Sequence, residues 1–283
     1  MKDRFKIYLE LIKSYQTILL LFTGIAGFIS SRCPYMNFWL FVGLTISLFL
    51  TISGSTLLNM YIDRDIDKRM PRTMNRPLPS GKVDPKEVLL VGLFISFIGL
   101  AIAFSMSFLY GIVVFTGLFI DVVVYTLWLK RKTAWSIIWG GISGGMPILA
   151  GRVLGIGYVD FVGILFALSI LLWIPTHIMT FSMVYFKDYE KAGIPTFPSI
   201  YGFKYTRLII AISAVGVAVS IGIGFISLSM AIGYLRLLAI LSIGLIGISI
   251  SSILNPSKVK NMGLFKYASI FMLASLIMMI FGV

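Results

Sequence analysis

Polar and apolar positions in this chain do not alternate; they fall into long blocks. Apolar stretches near the roughly 20-residue length that spans a hydrocarbon core recur nine times, at 14–31, 38–62, 88–107, 109–129, 136–152, 158–186, 207–229, 234–254 and 264–282. Each block predicts a helix, because a helix satisfies its own backbone in lipid. The plan is therefore all-α: a polytopic membrane protein with nine transmembrane helices in one domain over residues 1–283. The fifth block is interrupted by GGISGGMPILAG and Pro147, where small residues favour close helix packing.

Composition agrees. Of 283 residues, 58% are apolar or aromatic and only 12% are charged, about half the charge of a soluble domain, and the mean hydropathy is +0.98. That excludes a soluble enzyme, a disordered chain and a nucleic-acid module. Cys33 is the one cysteine and His177 the one histidine, so an internal disulfide framework and a multi-histidine metal cage are excluded as well.

The 24 Lys and Arg sort by side. All but Arg32, Arg152 and Arg236 fall in the N-terminal segment or in the connections after the second, fourth, sixth and eighth blocks. Basic residues stay cytoplasmic, so the N-terminus is expected inside the cell, the C-terminus outside, and the protein multi-pass in the cell membrane. This arrangement accounts for the +13 charge without a nucleic-acid partner. Arg152, near the outer end of the fifth block, is expected to snorkel to the headgroups.

Seven of the 11 acidic residues lie in the connections after the second and sixth blocks. In NMYIDRDID, Asn59, Asp63 and Asp67 recur every four residues, which on a helix keeps them on one face. Carboxylates so spaced repel each other unless a cation intervenes, and Mg²⁺ suits carboxylate and phosphate oxygens. The basic run KRMPRTMNRPLPSGK follows, with Arg72, Arg76 and Lys82 as anion contacts. Acid, metal and base together predict a diphosphate site. The competing reading is a solvated helix end closed by local salt bridges.

Two acids and bases stand apart from that connection. His177 lies deep in the sixth block, and an ionisable group inside a membrane helix is a functional candidate; the alternative is a neutral histidine hydrogen-bonded within the bundle. Asp121 in the fourth block is expected to neutralise, to bond a neighbour or to face a cavity.

The stretch NMYIDRDIDKRMPRTMNRPLPSG, Asn59 to Gly81, resembles the first signature of UbiA-type intramembrane prenyltransferases. YTLWLKRKT from Tyr125, GGISGGMP from Gly140, WIPTH ending at His177 and KDYEKAGIPTFP from Lys187 resemble the haem O synthase branch of that family. Thr176, Ile178, Met179 and Asp121 depart from that branch's pattern. The resemblance implies nine helices around a central cavity opening near the cytoplasmic face. It implies Mg²⁺-dependent transfer of a farnesyl group from a prenyl diphosphate to haem b within the membrane lipid. Asn59, Asp63, Asp67 and Asp188 would act at the reacting diphosphate, with Asp63, Asp67 and Asp188 as metal ligands. Arg72, Arg76, Lys130 and Lys187 would hold the diphosphate, Tyr125 and Tyr185 (or Tyr61) would face the allylic cation, and His177 would contact the acceptor. Glu190 is a possible supporting acid. The alternatives are a quinone precursor or an isoprenoid lipid headgroup as acceptor, and, in another class, an ion-coupled transporter.

Overall fold

A computed structural model describes residues 2–32 and 37–282; Cys33 lies outside the described residues. Helix starts are marked by short polar side chains that accept from the first free backbone amides. Asn37 accepts from the Trp39 amide at 2.9 Å, Asp84 from Lys86 at 2.9 Å, Asp160 from Gly163 at 2.9 Å and Ser257 from Lys260 at 3.1 Å. They open α3 (Phe38–Ile62), α5 (Pro85–Met106), α8 (Phe161–Val184) and α12 (Lys258–Phe281). Between them lie α4 (Arg64–Asp67), α6 (Phe108–Phe119), α7 (Ser136–Ile156), α9 (Phe186–Ala192), α10 (Phe197–Ser227) and α11 (Ile232–Leu254).

Eight helices among the described residues are long and apolar enough to cross a membrane. The ninth is broken. α1 (Lys2–Leu11) and α2 (Ser14–Ile29) meet at 54°, with Lys13 between them in a left-handed conformation (φ 48°). α2 alone has 16 residues, about 24 Å of rise, so the full span needs part of α1.

α10 begins ten residues before the expected 207. Its first turns precede a bend at Gly202, whose φ of 78° and ψ of 167° suit a residue without a side chain. Uniform hydropathy hides such a bend.

α2 packs on α7 and α3, α3 on α5, α7 on α8, and α12 on both α8 and α2, which closes the helices around a central space. Large apolar side chains such as Phe97 and Trp39 face outward, as lipid allows. Small residues let α7 approach its neighbours. A Cβ built on Gly145 would meet the Ala167 carbonyl oxygen at 2.6 Å, and one on Gly151 would fall onto the Gly24 carbonyl oxygen.

Arg152 does not snorkel. It is 6% exposed, paired with Asp160 at 2.7 Å through Nη2, and donates to the Ser30 carbonyl oxygen at 2.7 Å. Asp160 lies on the loop that leads into α8, close enough to neutralise the guanidinium where it stands, so the side chain ties α7, α8 and the end of α2 together and has no need of the headgroups.

Candidate active site

The central space is a cavity of about 800 Å³, polar at one end and apolar beyond. Asn59, Asp63 and Asp67 all line it. α3 ends at Ile62, yet Asp67 still donates its backbone N–H to the Asp63 carbonyl oxygen at 2.9 Å, so the four-residue stripe survives the break. The stripe also runs deeper than the acids. Thr51 and Ser55 precede Asn59 at the same interval and line the same wall. Two more steps of four along the sequence would have found them.

The like-charged carboxylates are met by side-chain cations. Asp63 pairs with Lys130, and Asp67 pairs with Arg76 at 2.9 Å. Both acids are buried, Asp63 at 8% and Asp67 at 6% exposure. The repulsion that suggested a metal is thus already answered within the protein. Two oxygens remain: among the described residues, Asp63 Oδ1 and Asn59 Oδ1 are both buried without a hydrogen-bond partner.

Outside the cavity, Asp65 is held by Arg131 at 2.7 and 2.8 Å. The Arg131 hydrogen bonds keep the Asp65 carboxyl below the usual carboxylate range. Arg131 also donates to the Ile62 carbonyl oxygen at 2.8 Å, which pins the end of α3 to the segment carrying Lys130.

That segment, Ile120–Leu129, is π-helical. Asp121 and Lys130 are nine residues apart and would stand on opposite faces of an α-helix at about 100° per residue. The wider π turn, roughly 4.4 residues with i to i+5 hydrogen bonds, returns them to one side; Lys130 donates its backbone N–H to the Tyr125 carbonyl oxygen at 2.8 Å. Asp121, Tyr125, Thr126 and Lys130 consequently all line the cavity. The Lys130 ammonium lies 5.6 Å from the centre of the Tyr125 ring.

Of the three fates expected for Asp121, the structure displays two. It faces the cavity and it bonds its neighbours: Ser55 donates to it, and Asn59 Nδ2 donates at 2.6 Å.

Arg72 and Arg76 line the cavity mouth. The Arg72 guanidinium lies 4.9 Å from the Phe181 ring centre and 5.4 Å from that of Tyr185, a stacked arrangement that leaves its N–H edges free. Tyr61 carries the Arg64 guanidinium 4.2 Å above its ring and is not among the cavity's lining residues.

His177 lines the deeper cavity. It is stacked between Trp173, at 4.7 Å and 27°, and Phe265, at 4.4 Å and 26°. Trp173 is itself anchored by donating to the Ala268 carbonyl oxygen at 2.9 Å. Among the described residues Nδ1 of His177 is buried without a partner, and the imidazole is held by stacking. Phe265, 88 positions along the chain, carries no local signal of this contact.

The residues of the second acidic connection fall elsewhere. Tyr185, Lys187 and Asp188 line a small separate pocket with Phe203, and Glu190 is exposed. α9 has seven residues, and it turns Tyr189 toward the central cavity. Among the described residues, no three His, Cys, Asp or Glu side chains gather as a metal cluster. Sequence reasoning also missed Lys13 and Gln16 in the lining; the break between α1 and α2 brings them there.

Residues 20–276 match the UbiA prenyltransferase family. A protoheme IX farnesyltransferase of Archaeoglobus fulgidus is 39% identical over 94% of this chain and 94% of its own length. One from Desulforudis audaxviator is 32% identical over 95% and 85%. Among solved structures, a digeranylgeranylglyceryl phosphate synthase superimposes with a TM-score of 0.83 at 22% identity, covering 99% of this chain and 98% of its own. A UbiA homologue from Archaeoglobus fulgidus bound to GPP and Mg²⁺ gives 0.71 at 16% identity, covering 97% and 99%. These likenesses extend over nearly the whole chain, and the protein belongs to the UbiA prenyltransferase family as a multi-pass membrane prenyltransferase.

Proposed function

We propose that this protein transfers a farnesyl group from farnesyl diphosphate to haem b, adding water to give haem O and releasing diphosphate. The observation that carries the reading is one continuous cavity with acids and bases at its mouth and an apolar, aromatic-lined interior. The relatives named protoheme IX farnesyltransferase support the acceptor. The basic connections favour an orientation with the N-terminus and the cavity mouth facing the cytoplasm, in the cell membrane.

A magnesium ion fits the mouth. Mg²⁺ takes one or two protein carboxylates and completes its shell with water and substrate phosphate. Asp63 and Asp67 are two such carboxylates, and the buried, unpartnered Oδ1 atoms of Asn59 and Asp63 are hard oxygen donors of the right kind. The ion would offset charge that develops on the departing diphosphate. Asp188, turned to its own pocket, would join only if α9 rotated.

The chain's own groups do the rest. Arg72, Arg76 and Lys130 stand where they can bind the diphosphate oxygens and take up leaving-group charge. Residues such as Val114, Leu118 and Met146 line the interior and exclude the water that would quench an allylic cation prematurely. Tyr125 offers a ring face to that cation. His177, held by its two aromatic neighbours, would offer an imidazole to the acceptor as an iron ligand or an orienting contact.

Two measurements test this. Membranes containing the protein, incubated with haem b, farnesyl diphosphate and Mg²⁺, are expected to yield haem heavier by one farnesyl group and one water in mass spectrometry. No such product from folded protein that binds the diphosphate moves the acceptor to a quinone precursor or lipid headgroup. His177→Ala is expected to lower haem turnover about tenfold or more while diphosphate binding stays near wild type. Unchanged turnover removes the histidine from the acceptor site.

A further inference from the structure

Asp121 stands at an odd place for an acid. It is inside a membrane span, has no cationic partner among the described residues, and is held by neutral donors from α3. Ser55 of α3 donates to Oδ2 and Asn59 Nδ2 donates to the same oxygen at 2.6 Å, while the Ser143 hydroxyl of α7, which donates to the Gly140 carbonyl oxygen at 2.9 Å, lies 3.4 Å from Oδ1. Asp121 is half-buried, and a carboxylate drawn away from bulk water without a counter-ion is costly, so the two donors that α3 aims at it mark it as a working part of the wall.

Its effect falls on Asn59. A side-chain amide offers donors on one end and an acceptor on the other. Oδ2 of Asp121 accepts from both Ser55 and Asn59, so this oxygen admits the nitrogen end of the amide. With Nδ2 committed to Asp121, Oδ1 must point away, and it is buried without a partner one turn from the likewise unpartnered Asp63 Oδ1. The π-helical register makes this possible, since it carries Asp121 and Lys130 to the same side of their helix; Lys130 then meets Asp63 while Asp121 meets Asn59.

We propose that Asp121 is a positioning residue that locks the Asn59 amide with its carbonyl oxygen presented to the cation of the diphosphate site. The inference rests on the Mg²⁺ reading above. Removing an outer partner of a metal-binding side chain typically costs about 10- to 100-fold in metal affinity.

The test is Mn²⁺ binding, measured by electron paramagnetic resonance on the full-length protein in nanodiscs, with Mn²⁺ alone and with inorganic pyrophosphate. Asp121→Ala is expected to weaken binding about tenfold or more. Asp121→Asn, whose carbonyl oxygen can still accept from Nδ2 although its own amide no longer forbids the flipped Asn59, is expected to lose less than Asp121→Ala. In an Asn59→Ala background, Asp121→Ala should add no further loss. Should Asp121→Ala not fold, Asp121→Ser, too short to reach the amide, takes its place. Wild-type Mn²⁺ affinity in Asp121→Ala overturns the proposal. So does an Asp121→Asn variant as weak as Asp121→Ala, which would mean charge and not orientation is responsible. Asp63→Ala is the control: if it binds Mn²⁺ like wild type, the metal reading itself fails, and this inference with it.

Discussion

Replacing Asp63 or Asp67 with alanine is expected to abolish turnover with any acceptor, a fall of about three orders of magnitude or about 4 kcal/mol. Each carboxylate is buried and paired, Asp63 with Lys130 and Asp67 with Arg76, so the substitution removes two things. It would take away a hard oxygen donor from the proposed Mg²⁺ site. It also leaves a basic side chain without its partner at the cavity mouth, which for a buried pair costs about 3–5 kcal/mol. The second effect threatens the fold, so Asp63→Asn and Asp67→Asn belong beside the alanine variants. They keep size and hydrogen bonding while removing the charge. Product formation with haem b and with a quinone precursor should vanish in all four, while the asparagine variants lose less thermal stability than the alanine ones. Near-normal rates in either residue's variants would remove the acidic stripe from the mechanism.

Gly151→Val is expected to leave little folded protein, for a reason unrelated to chemistry. A Cβ at position 151 would fall onto the Gly24 carbonyl oxygen and approach the Phe28 backbone nitrogen at 2.9 Å. Both obstacles are backbone, so no side chain can swing aside; α2 and α7 must separate. Overpacking a tight site costs about 1–3 kcal/mol where neighbours can adjust, and here they cannot, so the loss should exceed that range. α2 and α7 both line the cavity, so separation would also open it. Gly222→Ala is the control, because nothing lies within 4 Å of a Cβ there. Detergent-solubilised Gly151→Val should melt far below wild type or fail to express, and Gly222→Ala should match it. A Gly151→Val variant with wild-type melting would mean that α2 and α7 do not pack as described.

How much of this was readable beforehand differs from residue to residue. Block hydropathy was enough for the span plan, because a lipid-facing helix must be apolar along its whole length. The broken first span was invisible to it, since the bend at Lys13 depends on where α1 rests against α3 and the α5 terminus; Tyr8 donates to Glu87 at 2.8 Å there. Periodicity placed Asn59, Asp63 and Asp67 on one wall, because four-residue spacing is a local property of any helix. It did not reveal that Lys130 and Arg76 answer those charges, which takes contacts 67 and 9 positions away.

The sequence by itself determined the membrane character, the spans, the acidic stripe and its basic sequel, all of which follow from local composition and spacing. Only the tertiary structure decided that Arg152 is buried in an ion pair, that Asp188 and Lys187 line a different pocket, that His177 is clasped by Trp173 and Phe265, and that Asp121 accepts from the Asn59 amide. The physical reason is shared. Each depends on which helices lie side by side, and for Asp121 and Lys130 on the π-helical register of their segment, which brings both to one side.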